Sequence, residues 1–185
     1  MAHPPPAGFP LAAFGDGLVT RILDAGQRAY GAWTLGGAEV LIDVSPAAEF
    51  LGVGGGRAMF LDGDQLRSYD GSTGVVATAP LDLDVEVRRA AVSPDGRFVA
   101  FASRPDIVSF SEVHVVESKT GVVVDRFGPV MDLQLQFVDR ATMQFISPGT
   151  DIPWQVTHRD VTLGTERAVA GAESPMLWFA EIGGP

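Results

Sequence analysis

Five carboxylates fall close together in this chain: Asp62, Asp64, Asp82, Asp84 and Glu86. Side chains of this kind could gather around a hard cation such as calcium, which takes several oxygen ligands. Leu81-Asp-Leu-Asp-Val-Glu-Val87 alternates strictly, so as a strand it would set its acids on one face and its apolar residues on the other. A half-buried strand with a solvated face needs the same pattern, which leaves a cation here open. His114 and His158 fall in corresponding strands but one residue out of register, which would aim them at opposite faces. A shared metal is therefore not expected, and a histidine beside Glu112 or Asp160 reads first as a surface hydrogen-bonding group. The chain contains no His-Glu-x-x-His pair and no Gly-x-Ser-x-Gly elbow. Gly52-Val-Gly-Gly-Gly-Arg57 has the glycines of a nucleotide-binding loop without the spacing, because Arg57 stands where the third glycine belongs and a strand follows. It reads as a plain turn.

Strands must position all of these groups. Short apolar or alternating runs are bounded by Gly, Pro, Asp and Ser, and no sustained helical stripe is present. Asparagine is absent, so turns that need a positive φ fall to glycine, often after Asp: Asp16-Gly17, Asp62-Gly63, Asp70-Gly71 and Asp95-Gly96. A strand-turn-strand module recurs about every 40 to 47 residues, the mark of a repeat built from small sheets that cannot bury both faces alone. In register, each unit has four strands, a to d. The second unit places them at 49–53, 57–61, 65–69 and 75–79, the third at 86–92, 97–103, 112–117 and 122–127, and the fourth at 132–137, 141–147, 154–161 and 165–170. The b strands, such as Phe98-Val-Ala-Phe-Ala102, are apolar on both faces, as a strand sandwiched between neighbouring sheets must be.

Strand c ends each time in an acid and a turn that closes on glycine: Asp70-Gly-Ser-Thr-Gly74, Glu117-Ser-Lys-Thr-Gly121 and Asp160-Val-Thr-Leu-Gly164. Together with Ser93-Pro-Asp-Gly-Arg97, which joins strands a and b of the third unit, this resembles the repeats of TolB-like and WD40-related β-propellers over residues 48 to 170. The Gly-His and Trp-Asp pairs of true WD40 repeats are missing, so the resemblance is to the general class and carries over no functional residue. The expected fold is all-β, a propeller-like array of about four four-stranded antiparallel blades. Residues 1–13 read as a proline-rich segment and 14–185 as a single domain. For the first blade, 17–23, 28–34 and 38–44 serve as b, c and d. Its a strand is either Pro175-Met-Leu-Trp-Phe-Ala-Glu181, which would close the ring, or Phe9 to Phe14, against which Pro4, Pro5, Pro6 and Pro10 argue. In the second case, residues 176–182 open a further blade that is truncated or completed by another chain.

The 185 residues carry a formal charge of -10, with scattered arginines and Lys119 as the only lysine, which excludes a basic nucleic-acid surface and disfavours anionic membranes. There is no cysteine, and no stretch approaches the length of a membrane span. The N-terminus lacks the basic start and apolar run of a secretory signal, so a cytoplasmic protein is expected, or a secreted or periplasmic one if a signal peptide has been removed. Loop length supplies the expected site. The b-to-c connections 103–111 and 147–154 are long, emerge on one face of a propeller, and carry Ile107, Phe110, Ile152 and Trp154 flanked by Arg104, Asp106 and Asp151. That mixture of aromatic, aliphatic and charged groups is the make-up of a protein interface, and the same loops could instead fold back to cap the ring. The leading expectation is a non-catalytic scaffold with a protein partner at these seven residues and no cofactor. A second copy of the chain, or another propeller subunit, is a further expected partner. The alternative is an enzyme or a small-ligand or cation-binding protein that uses carboxylates near the ring axis or in the acidic 62–86 region.

Overall fold

The structure, a computed structural model, describes residues 9–14, 17–24, 27–34, 39–83, 87–103, 111–149 and 154–172. Every regular element among them is a strand. Strands β1 (Phe9–Phe14), β2 (Gly17–Asp24), β3 (Gln27–Thr34) and β4 (Val40–Leu41) form one antiparallel sheet in chain order. Strands β5 (Glu49–Gly54), β6 (Arg57–Asp62), β7 (Gln65–Asp70) and β8 (Val76–Pro80) form a second in the same way. The rest make a seven-stranded sheet: β9 (Val87–Val92), β10 (Phe98–Ser103), β11 (Ser111–Glu117), β12 (Val123–Phe137), β13 (Thr142–Pro148), β14 (Trp154–Asp160) and β15 (Thr165–Ala172). These strands match the expected a-to-d pattern closely. No helix among the described residues is long and apolar enough to cross a membrane.

Three local expectations need correction. Phe9–Phe14 is a paired strand despite its proline, because Pro10 and Thr20 face each other beside a register shift that absorbs the missing N–H. The place foreseen for residues 175–181 in the first sheet is thus taken by β1, and 175–181 themselves lie outside the described residues. Strand d of the third unit and strand a of the fourth are not separate. The 15-residue β12 pairs with β11 through Val123 to Val130 and with β13 from Met131 to Phe137, so one continuous strand passes from one four-stranded unit to the next without a reverse turn. Residues 81–83 are not a strand, 84–86 lie outside the described residues, and β9 begins at Val87.

The chain divides into two compact units. The first comprises Met1–Leu83, Pro94–Arg97 and Glu117–Val122, and the second the remainder. In the first unit Phe14, Val19, Tyr30, Ala32, Phe60 and Tyr69 form a core in which the Tyr30 and Phe60 rings meet edge to face at 4.9 Å. The Tyr30 hydroxyl donates to the Ala48 carbonyl at 2.8 Å, which satisfies the only polar atom that ring brings inside. The second unit packs Phe98, Val113, Val115, Val130, Met143 and Phe145 together. All six residues of β10 are buried, as its two-sided apolar sequence requires.

Turn chemistry repeats at the glycine that closes each turn, while Gly71, expected to take a positive φ after Asp70, does not. Gly74, Gly121 and Gly164 have φ of 72°, 72° and 66°, and each donates its N–H to the carbonyl of the acid four residues earlier at 2.8 Å. The Asp70 Oδ1 accepts from Ser72 N, Ser72 Oγ and Thr73 N, and the Asp160 Oδ1 accepts from Thr162 N, Thr162 Oγ1 and Leu163 N. These donors hold Asp70 down to about 2 and lower Asp160 as well. A carboxylate with a depressed folded-state value stabilises the fold above its unfolded value near 3.8, and that contribution is lost as pH falls through the folded one. The urea midpoint is therefore expected to drop as pH is lowered from about 4 toward 2. The Asp70→Asn/Asp160→Asn double variant should start lower at neutral pH and show a shallower acid limb. A wild-type slope in that variant would contradict the assignment.

Candidate functional site

Of the seven residues expected at a protein interface, Arg104, Asp106, Ile107, Phe110, Asp151 and Ile152 lie outside the described residues. Trp154 is half-buried at the start of β14, where it pairs with Pro148 and Ala172. In the acidic region, Asp84 and Glu86 also lie outside the described residues. Asp62 is occupied: it accepts from Ser45 N at 3.0 Å, from Ser45 Oγ at 2.5 Å and from Arg67 at 3.4 Å. The Ser45 hydroxyl is the main cause of its lowered pKa. Asp64 and Asp82 are exposed. Among the described residues no three His, Asp or Glu side chains are grouped to hold a metal ion.

Both strand histidines are in the second unit. The His158 Nε2 meets Gln144 Oε1 at 3.0 Å. His114 is only 4% exposed, not the surface hydrogen-bonding group expected, and lies 3.7 Å from Glu112, so among the described residues neither ring nitrogen has a hydrogen-bond partner. Burial, helped by Arg126, pushes its pKa down and keeps the ring neutral.

Among the described residues a concavity lies in the first unit, one that the sequence reading does not single out. Its floor is one face of the second sheet. Arg57 pairs with Asp70 across β6 and β7, Ser68 lies two residues before Asp70, and Ser68 pairs with Ala77 across β7 and β8, so alternation sets all four on the same side. The turn after β11 contributes Ser118 and Lys119, and the cleft so enclosed is about 290 Å³. Ser118 is fixed there because its hydroxyl donates to Gly96 O at 2.6 Å and its N–H to Arg97 O at 2.8 Å. Ser68 is only 9% exposed on the floor of the cleft. Thr78 and Lys119, both exposed, line the same opening. Chemically the cleft offers hydroxyl, guanidinium and ammonium donors to a small polar molecule. Lys119 stands out in sequence as the sole lysine, but nothing local says that its turn meets the β7–β8 face.

No protein-family model matches the sequence, and no curated protein matches it. Solved structures do. At 13% identity the chain is similar to an oligogalacturonate lyase from Vibrio parahaemolyticus, with a TM-score of 0.62 over 92% of this chain and 53% of that one. At 15% identity it is similar to a putative TolB from Agrobacterium tumefaciens, with a TM-score of 0.52 over 83% of this chain and 61% of that one. At 13% identity it is similar to the acylaminoacyl peptidase of Pyrococcus horikoshii, with a TM-score of 0.58 over 84% of this chain and 30% of that one. The fold is that of a β-propeller. In each case the chain spans less than two thirds of the protein it resembles. The expectation of a non-catalytic protein-binding scaffold is corrected by these likenesses: the propellers found are mostly those of enzymes, which turns the weight to the alternative, an enzyme or small-ligand-binding protein. The physical reason is that a propeller is only a frame, and the chemistry resides in sites set on it.

Proposed function

We propose that this chain is a ligand-binding β-propeller of the kind enzymes carry, and that the cleft beside Ser68 recognises a small polar ligand. The observation that carries this reading is the cleft floor, where Arg57, Ser68 and Asp70 lie on one side of the sheet and Ser68 is only 9% exposed. A hydroxyl on such a floor can both donate to and accept from a ligand atom. At about 290 Å³ the cleft is at the small end of ligand sites, which suits a molecule of monosaccharide size. The enzymes among the similar structures support the same reading.

The test is to fill the cleft. Ala77 is exposed on the outer strand β8 and faces the same side as Ser68, so Ala77→Trp should leave the fold intact while its ring occupies the opening. A panel of small hydroxylated and carboxylated compounds, titrated by two-dimensional NMR, is expected to yield binders that shift the amides of Ser68, Thr78 and Lys119. Their affinity should fall by about tenfold or more in the filled variant, with melting temperature unchanged. Binding that survives Ala77→Trp, or a panel that leaves those amides unmoved, overturns the proposal.

A further inference from the structure

We infer that the ligand of this cleft carries a single carboxylate group, an inference that rests on the ligand-binding reading above. The chain as a whole has a formal charge of -10, yet the cleft runs against that balance. Two cations, Arg57 and the only lysine, Lys119, face one carboxylate, Asp70, which leaves one positive charge. Asp70 does not neutralise both. Three donors of its own turn occupy Oδ1, and Oδ2 takes only the Arg57 Nε, at 3.4 Å. The two terminal guanidinium nitrogens are thus left without an acidic partner in the cleft, which the Lys119 side chain and the Ser68 hydroxyl share.

Donor geometry then selects the anion. A guanidinium fork matches a planar carboxylate with two parallel N–H bonds, and the ammonium supplies a second point charge in the same cleft. A monoanion brings the cleft to neutrality. A phosphate dianion would overshoot it and face the Asp70 carboxylate, and a neutral ligand would gain nothing from the net positive charge. The Ser68 hydroxyl, which both donates and accepts, is left for the polar body of the same molecule.

Matched pairs test this on the full chain by NMR titration: glucuronate against glucose, and L-lactate against lactamide, with inorganic phosphate as a fifth probe. At least one acid is expected to shift the Ser68, Thr78 and Lys119 amides and to bind about tenfold tighter than its neutral mate. Lys119→Gln, an exposed change that leaves the fold alone, should weaken the acid about fivefold and leave the neutral compound unaffected. Equal binding of acid and neutral mate overturns the carboxylate while the ligand-binding reading stands. Phosphate binding tighter than either acid overturns it in favour of a dianion. No response to any of the five also overturns it, and the wider panel with Ala77→Trp then decides the reading beneath it.

Discussion

Gly96→Val is expected to destabilise the protein by about 3 kcal/mol or more, the largest effect of any single change proposed for the first unit. Gly96 has φ of +69°, the left-handed region that a β-branched residue enters only with strain. In addition, a side chain there would collide with backbone: an added Cβ overlaps the Gly54 carbonyl oxygen and lies 2.8 Å from its carbon. Gly55, with φ of +57°, faces the reciprocal obstacle at the Asp95 carbonyl, and its N–H donates to Pro94 O at 2.8 Å. The two hairpin turns therefore meet backbone to backbone, which only glycine permits. Gly63 is the control, since it has nearly the same φ of +64° and nothing within 4 Å of an added Cβ. Gly63→Val should show the backbone strain alone, about 1 to 2 kcal/mol, and the excess at Gly96 measures the close approach. Urea denaturation of both variants gives the comparison; equal losses would mean that the turns do not touch.

Arg159→Met is expected to cost about 3 kcal/mol in the second unit, because it strands a nearly buried charge. The Arg159 guanidinium grips Asp125 with two bonds, Nε to Oδ2 at 2.6 Å and Nη2 to Oδ1 at 2.7 Å, and reaches Glu166 at 2.6 Å through Nη1. It also lies 4.8 Å above the Phe127 ring. The side chains of Arg159 and Asp125 are only 13% and 8% exposed, so neither can turn to water when the other is removed. Arg159→Met/Asp125→Leu should recover most of the loss, because removing both charges also removes the desolvation of both. Glu166 is 44% exposed, and Glu166→Gln should cost less than about 1 kcal/mol. A double variant as unstable as Arg159→Met alone would show that packing of the guanidinium, not the stranded carboxylate, sets the cost.

The contrast between these two sites shows how far a sequence can be read. Ser93-Pro-Asp-Gly-Arg97 announces its hairpin because each residue acts locally: Asp95 Oδ1 accepts from Arg97 N at 3.1 Å, and the Ser93 hydroxyl accepts from Phe98 N at 2.9 Å. Nothing in that pentapeptide says that its tip rests on Gly54 and Gly55. Likewise Asp125, Arg159 and Glu166 lie in strands that were located correctly, but their meeting depends on β12 continuing into the next unit. The sequence reading broke this strand in two, because Phe127-Gly-Pro-Val-Met131 has the composition of a turn.

From sequence alone the all-β repeat, its four-strand period, the glycine turns and the two-sided apolar b strands were determined, because alternation, φ constraints and side-chain-to-backbone hydrogen bonds act over two to five residues. The tertiary structure alone decided that Phe9–Phe14 pairs as a strand, that Asp62 is occupied by Ser45 and Arg67, and that Arg57, Ser68 and Asp70 share a cleft with Lys119. Those outcomes depend on which turn of one repeat packs on which face of another. Residues some fifty positions apart are brought together by burial of the sheet faces between them, a non-directional force that leaves no local mark in the chain.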